Sequence, residues 1–109
     1  MGVHDDLREH FGDFESPAAA AEWKHVKASI ALGQSVAGIV VKSYPFGVFV
    51  DIGVRFPALL LITRFEGSRN APLSNPPLGS AIQARVCVYA DCDRQIGLTQ
   101  LERDPWFGE

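Results

Sequence analysis

From Gly33 onward, hydrophobic positions alternate with small or polar ones at the period of two that is typical of β-strands. β-branched residues are frequent in these stretches, and proline, glycine, asparagine or aspartate separates them. The pattern therefore predicts five strands in this part of the chain. Their predicted ranges are 36–42, 46–52, 58–62, 81–90 and 95–101.

The residues before Gly33 have helical spacing instead. Ser16-Pro17 predicts a helix start, because serine caps free amides and proline fits the first turn, where no N–H is needed. Trp23, Val26 and Ile30 then follow three and four residues apart. We therefore expect residues 18–30 to form a helix that packs against the sheet through this face.

The order of these segments predicts the fold class. A long segment rich in proline, glycine, asparagine and serine, residues 66–79, connects the third and fourth strands and is predicted to be a loop. An open sheet of such apolar strands would leave its edges unprotected. We therefore expect an all-β domain with an N-terminal helix, built as a five-stranded Greek-key barrel of the oligonucleotide-binding (OB) type.

Composition fits one folded domain. The chain has 109 residues, of which 47% are hydrophobic and 21% charged, and this excludes wholesale disorder. The sequence has no apolar run long enough to span a membrane, and its start lacks the basic and apolar regions of a secretory signal. We therefore expect a cytoplasmic protein that does not contact membranes. Cys87 and Cys92 have neither metal-site nor disulfide spacing, so we expect free thiols.

Charge divides the chain unevenly. The net charge is −3, and residues 1–30 carry six acidic and three basic side chains, whereas residues 31–102 carry five acidic and six basic ones. The predicted organisation is an acidic leader with a packing helix, 1–30, a barrel, 31–102, and an aromatic tail, 103–109. Within the leader, the sequence predicts only one weak helical turn, around residues 5–11.

The segment from Phe46 to Gly53, Phe-Gly-Val-Phe-Val-Asp-Ile-Gly, carries the most specific pattern. In a regular strand, Phe46 and Phe49 would point to opposite faces, and a bulge or kink near Gly47 would bring them to one surface. Two such rings on a barrel form a stacking platform for unpaired bases. The alternative that one of the two rings belongs to the core stays open.

This octet resembles the Phe-Gly-x-Phe-Val-x-hydrophobic-Gly signature of the S1 RNA-binding domain family. Further pieces match in order and spacing: Leu32-Gly33 before the first strand, Leu78-Gly79 before the fourth, and Gln95-Ile96-Gly97-Leu98-Thr99 in the fifth. The resemblance covers residues 31–102 and implies the same OB barrel.

The resemblance also implies an RNA-binding surface, with departures. Phe46 and Phe49 match the family's aromatic residues, but Leu61 stands where the family has a histidine, and Gln95 where it has an arginine, with Arg94 one residue earlier. Leu61 is therefore expected to join Phe46 and Phe49 in a more apolar RNA-binding patch. Since leucine cannot donate a hydrogen bond and glutamine brings no charge, the implied affinity for single-stranded RNA is modest.

Other basic residues complete the predicted nucleic-acid site. Contacts to the RNA backbone are expected from Arg94, Lys42, Arg64 and Arg69, with solvated surface charges as the alternative. The sequence contains no phosphate-binding glycine loop, nucleophile elbow or metal-ligand cluster, so we expect no catalytic residues, no metal and no cofactor, and hence no enzyme.

Two functions follow from these patterns. The first is a non-catalytic RNA-binding module that holds single-stranded RNA by stacking on Phe46 and Phe49. The second is a protein–protein interaction domain, an adaptor or inhibitor, that uses the same barrel face after loss of the RNA contacts. Leu61, Gln95, the acidic leader and the aromatic tail favour the second.

Overall fold

Two helices precede five strands along the chain. The structure is a computed structural model that describes residues 3–61 and 76–101, apart from the side chains of residues 3 and 4. Helix α1 spans Val3–Phe11, and a short 3-10 turn, Pro17–Ala19, leads into helix α2, Ala20–Ser29. The strands are β1, Ser35–Tyr44; β2, Gly47–Asp51; β3, Ala58–Leu61; β4, Ala81–Ala90; and β5, Gln95–Thr99.

The strands close into a barrel in the order β1-β2-β3-β5-β4. Among the strands of the described residues, β3 and β5 run parallel and the other neighbouring pairs are antiparallel. A closed five-stranded barrel with this order is an OB-fold, and it confirms the predicted fold class.

Closure depends on the length of β1. Its first half, Ser35–Ile39, pairs with β4, and its second half, Ile39–Tyr44, pairs with β2. A bulge between Val40 and Lys42 changes the direction of the strand between these two partners. At Gly38 the neighbouring strand comes so close that a Cβ atom would lie 2.4 Å from the Asp51 carbonyl oxygen, so only glycine fits.

The predicted strands are all present, with small differences at their ends. β1 continues to Tyr44 because this residue still pairs with Gly47 across the turn. β5 ends at Thr99, and the Thr99 hydroxyl accepts a hydrogen bond from the Leu101 amide. The predicted loop 66–79 lies mostly outside the described residues, and the predicted tail 103–109 lies wholly outside them.

The N-terminal helices were predicted only in part. Trp23 and Val26 are buried as the spacing indicates, and Trp23 packs edge-on against Phe56 and Tyr89 with ring centroids 5.0 and 5.5 Å away. The helical segment begins after Ser16, but the serine side chain makes no capping hydrogen bond. The prediction of one weak turn around residues 5–11 was wrong, because a nine-residue helix, α1, is present there.

The hydrophobic core has two connected parts. Inside the barrel, aliphatic side chains alternate with outward ones, and the buried residues are Val40, Val48, Val50, Ala58, Leu60, Ala84, Val86, Ile96 and Leu98. The second part lies outside the barrel wall and is contributed by both helices and the segments beside them, including Leu7, Phe11, Phe14, Trp23 and Phe56. The helices are therefore packed onto the barrel rather than standing apart from it.

Candidate nucleic-acid interface

One row of side chains crosses the outside of the barrel from β1 to β3. Lys42 on β1 pairs across the ladder with Phe49, and Phe49 pairs with Leu59 on β3. Directly opposed residues point to the same face of a sheet, and Val48 and Val50, the neighbours of Phe49 along the strand, point into the barrel. The row therefore faces outward. We call this surface the aromatic face; its members are Lys42, Tyr44, Phe46, Phe49, Leu59 and Leu61.

Three aromatic rings gather where β1 turns into β2. The rings of Tyr44 and Phe46 are stacked, with centroids 5.3 Å apart and an angle of 1° between their planes. Phe49 lies edge-on to both, 5.9 Å from Tyr44 and 6.2 Å from Phe46. Phe46 and Phe49 thus come together as predicted, but the bulge lies between Val40 and Lys42 on the partner strand rather than at Gly47.

The two phenylalanines of the predicted stacking pair differ in access. Phe46 is 40% exposed, whereas Phe49 is 1% exposed although it lies on the outside of the barrel wall. A base can stack only on a ring that solvent reaches, and this condition is met by Phe46. The sequence left open whether one of the two rings belongs to the core, and Phe49 does. It packs edge-on against the rings of Tyr44 and Phe46.

A small apolar cleft adjoins the aromatic face on the side of β5. Leu59 pairs with Gly97 there, and Leu61 and Gln95 line the same cleft, which has a volume of about 140 Å³. Val88 fills the space beside Gly97, where a Cβ atom would lie 2.3 Å from a Val88 methyl group. Leu61 and Gln95, the two predicted departures from the S1 pattern, therefore line one apolar cleft. Sequence reasoning missed the contributions of Leu59, Val88 and Gly97, although their alternation with buried neighbours was visible.

Helix α1 lies against this part of the barrel and touches it through polar side chains. The Tyr44 hydroxyl donates a hydrogen bond to the Asp6 carboxylate at 2.5 Å, and the Lys42 ammonium lies 3.0 Å from the Glu9 carboxylate. One residue further, His10 Nε2 lies 2.9 Å from a carboxylate oxygen of Asp51. The helix therefore follows the outer surface from the end of β1 to the end of β2.

These contacts shift two acid–base equilibria. Burial, with the hydrogen bond to Asp6 and the negative charges of Asp6 and Glu9, raises the pKa of Tyr44 from 10.0 to about 12. Burial alone would raise the pKa of Asp51, but its hydrogen bonds with His10 and the Gly53 amide outweigh this and hold the pKa below the ordinary 3.8. Tyr44 is thus a neutral hydroxyl and Asp51 a carboxylate at neutral pH.

Arg94 lies elsewhere. Arg94 and Phe46 lie at opposite ends of β3. Arg94 precedes β5 and lies near the start of β3, where Ala58 pairs with Ile96. Phe46 lies near the end of β3, where Leu61 pairs with Gly47. The Arg94 guanidinium donates to the backbone carbonyls of Phe14 and Ser16, at 3.2 and 2.5 Å. The structure therefore does not bring Arg94 to the aromatic face, because its charge is used to hold the segment between the two helices.

The remaining predicted contacts are distributed as follows. Lys42 is on the aromatic face, and Arg64 and Arg69 lie outside the described residues. Within residues 3–61 and 76–101, no three histidine, cysteine or acidic side chains are grouped to hold a metal ion. In the same part of the chain, no helix has the length and apolar character needed to cross a membrane.

The comparisons with known proteins identify similar folds. No protein-family model matches the sequence, and no curated protein matches it either. Among solved structures, an uncharacterized protein from Methanocaldococcus jannaschii has a TM-score of 0.55 at 15% identity, over 70% of this chain and 99% of that one. A protein identified provisionally as an exosome complex RNA-binding protein has a TM-score of 0.53 at 25% identity, over 64% of this chain and 42% of that one.

A third similar structure is the RNase R of Mycoplasma genitalium in complex with ribose-methylated single-stranded RNA. Its TM-score is 0.55 at 17% identity, and the match covers 73% of this chain but 14% of the RNase R chain. This chain therefore spans nearly all of the M. jannaschii protein but only a minor part of the two others. The likeness supports the OB-fold derived from the strand order.

Proposed function

We propose that this chain is a non-catalytic RNA-binding module that holds single-stranded RNA on the aromatic face of its OB barrel. The observation that carries the proposal is the ring of Phe46, 40% exposed and stacked on Tyr44 at the end of the β1–β2 turn. Such a ring offers a flat apolar surface that is fixed in orientation before any base arrives. Stacking on it would be tolerant of base identity, because every base has a π-face.

The resemblance to S1 domains supports this proposal, since the octet that carries it holds both Phe46 and Phe49. The similar structures support it as well. One is identified provisionally as an exosome complex RNA-binding protein, and another is an RNase R in complex with single-stranded RNA. Each of these functions belongs to the protein in question, and for this chain RNA binding is our inference.

The geometry suggests a division of roles along the face. Phe46 would stack on one base, and the apolar cleft beside Leu59 and Leu61 would receive the edge of the next, without hydrogen bonds. Lys42 would contact a phosphate. With one described cation on the face and a net charge of −3, affinity would depend on stacking more than on charge and would be modest.

The test is a fluorescence-anisotropy titration of the full chain with labelled random single-stranded RNA at low and moderate salt. Phe46→Ala should weaken binding by about 1–3 kcal/mol, the value of one stacked base. Leu78→Ala is the matched control, because Leu78 is 63% exposed and lies in the turn before β4. Equal losses in both variants, or none in Phe46→Ala, would contradict stacking on Phe46.

A second candidate function, a protein-interaction domain, is favoured by one observation. The barrel surface around Lys42 and Tyr44 already accommodates a protein helix, α1. A partner protein would use the part of the barrel that α1 now contacts through Lys42 and Tyr44, and a chain with this function need not bind RNA at all. The same titration separates the two candidates, because the RNA-binding module should bind RNA at low salt and the protein-interaction domain should not.

A cytoplasmic location is part of the proposal. It is supported by the two cysteines, neither of which is in a disulfide, with Cys87 buried and Cys92 exposed. Free thiols are typical of reducing compartments.

A further inference from the structure

The acidic side of α1 contacts the groups of the aromatic face that RNA would use. The Glu9 carboxylate pairs with Lys42, which is 26% exposed and is the described cation of this face. The Asp6 carboxylate accepts the Tyr44 hydrogen bond, beside the ring on which Phe46 stacks. Two carboxylates thus bind donors, on Lys42 and Tyr44, that could also bind phosphate oxygens, since both kinds of group are anionic acceptors.

The apolar side of α1 closes the same region. Leu7 and Phe11, four residues apart and therefore on one side of the helix, are 0% and 8% exposed. Phe49 points outward from the barrel yet is 1% exposed, and it belongs to the same hydrophobic cluster as Leu7 and Phe11. Phe49 lies against the rings of Tyr44 and Phe46 within this core, to which α1 contributes Leu7 and Phe11.

The attachment of α1 differs from that of the segment that follows it. Gly12 ends the helix with a φ of +74° and open space around its α-carbon. Beyond Gly12, Arg55 and Arg94 bind backbone carbonyls of Asp13, Phe14 and Ser16 and tie this segment to the barrel. Gly12 therefore lies between this segment and α1, which are joined by an ion pair between Arg8 and Glu15 at 2.7 Å, and the polar contacts of α1 with the barrel include a Glu9 side chain that is 74% exposed.

A helix of nine residues has little stability by itself in water, so α1 is formed because it is docked. We propose that α1 is an intramolecular competitor of RNA, an acidic cover that must leave the aromatic face, by movement about Gly12, before RNA gains Lys42 and Tyr44. This inference rests on the proposed RNA-binding function. It gives that site a regulation: the fraction of molecules with α1 undocked sets the apparent affinity.

The first test opens the cover in the full chain without changing its charge. Leu7→Ala with Phe11→Ala removes the apolar contacts of α1, and Val26→Ala is the control because it weakens α2 instead. If α1 is docked in about nine of ten molecules, the opened variant should bind random single-stranded RNA about tenfold more tightly than the unchanged protein. The Val26→Ala variant should bind as the unchanged protein does.

A second pair of variants keeps all apolar packing. Glu9→Gln removes the charge that faces Lys42, and Asp13→Asn removes one equal charge just after the helix. Glu9→Gln should tighten RNA binding by about two- to fivefold, the range expected from losing one exposed ion pair. Asp13→Asn should change it less. If the variant with both Leu7→Ala and Phe11→Ala does not fold, the comparison of Glu9→Gln with Asp13→Asn still tests whether α1 competes with RNA.

Amide hydrogen exchange provides a readout that does not depend on affinity. In the unchanged protein saturated with RNA, amides of α1 should exchange faster than in the free protein, while those of α2 should not. Equal RNA affinities in all variants, or α1 amides that stay protected in the RNA complex, would refute competition by α1 without contradicting RNA binding. No binding in any variant, the opened one included, would overturn the proposed function and the cover with it.

Discussion

The Tyr44 hydroxyl donates a 2.5 Å hydrogen bond to the Asp6 carboxylate and so joins the end of β1 to α1, 38 residues earlier in the chain. Its ring is at the same time stacked on Phe46. One side chain thus connects the exposed stacking surface with the helix that covers its neighbourhood. Any change that frees the hydroxyl should be visible both in the ionisation of the tyrosine and in the docking of α1.

The first prediction concerns that ionisation. Below pH 10 the Tyr44 contact contributes fully to stability, and the contribution is lost as pH rises from 10.0 towards the folded-state value of about 12. In a Tyr89→Phe background, where Tyr44 is the remaining tyrosine, ultraviolet absorbance should give a midpoint near that raised value. Asp6→Asn should lower the midpoint, because a neutral amide no longer opposes the tyrosinate charge. A midpoint at the ordinary value in the unchanged Asp6 background would show that the hydroxyl is not held by α1.

The second prediction concerns acid. The pKa of Asp51 is depressed in the folded state, so its contribution to stability is complete above 3.8 and is lost as pH falls through the lower folded value. The effect should be below about 1 kcal/mol, since both partners of the His10–Asp51 pair are 36% exposed. Urea unfolding of the protein and of Asp51→Asn, above and below that pH, measures it. The asparagine variant should lack this part of the acid dependence, and an identical acid profile would refute the assignment.

The third prediction separates the two phenylalanines. Phe49→Ala should lower the free energy of unfolding by about 3–5 kcal/mol, as expected for a large buried aromatic. Phe46→Ala should cost about 1 kcal/mol or less, mainly its stacking with Tyr44. Denaturant midpoints at constant slope give both values. A similar loss of unfolding free energy in the two variants would mean that Phe49 is not buried as described. Loss of RNA binding in Phe49→Ala can be interpreted only if this variant is shown to be folded.

The fourth prediction compares two glycines with positive φ angles. At Gly53, with φ of +91°, nothing lies within 4 Å of an added Cβ, so alanine should cost about 1–2 kcal/mol through backbone strain alone. At Gly47, with φ of +153°, a Cβ would lie 2.4 Å from the Leu60 carbonyl oxygen, and β2 or β3 must move. Gly47→Ala should therefore be worse by roughly a further 1–3 kcal/mol. Thermal or urea unfolding of both variants checks the order, and equal costs would contradict the close approach of the two strands.

Much of the barrel was predictable because strand patterns are local. Alternation over a few residues marks a strand with one buried face, and all five predicted strands are present. The octet from Phe46 to Gly53 indicated a convergence of two rings, and the rings do lie 6.2 Å apart. Leu32-Gly33 and Leu78-Gly79 each precede a strand, and both glycines have nearly the same positive φ, +89° and +88°.

The sequence predicted which residue types belong to the candidate site, but not their exposure or their position in the fold. A sequence shows that Phe49 belongs to an aromatic motif, but its 1% exposure depends on what packs over it. Arg94 has the charge expected of an RNA contact, yet it binds the backbone carbonyls of Phe14 and Ser16, which lie some 80 residues earlier in the sequence. The α1 helix gave one local signal, the four-residue spacing of Leu7 and Phe11, and the charged residues around it obscured that signal.

The sequence by itself determined the strands, the turn glycines and the closed barrel, because these follow from alternation, backbone sterics and short-range turn chemistry. Only the tertiary structure decided which surface of that barrel is available. Lys42 and Tyr44 are contacted by a helix that precedes them by more than 30 residues, and the docking of this helix is the sum of exposed ion pairs and a few buried side chains. Such contacts are individually small and non-local, so no pattern along the chain records their balance.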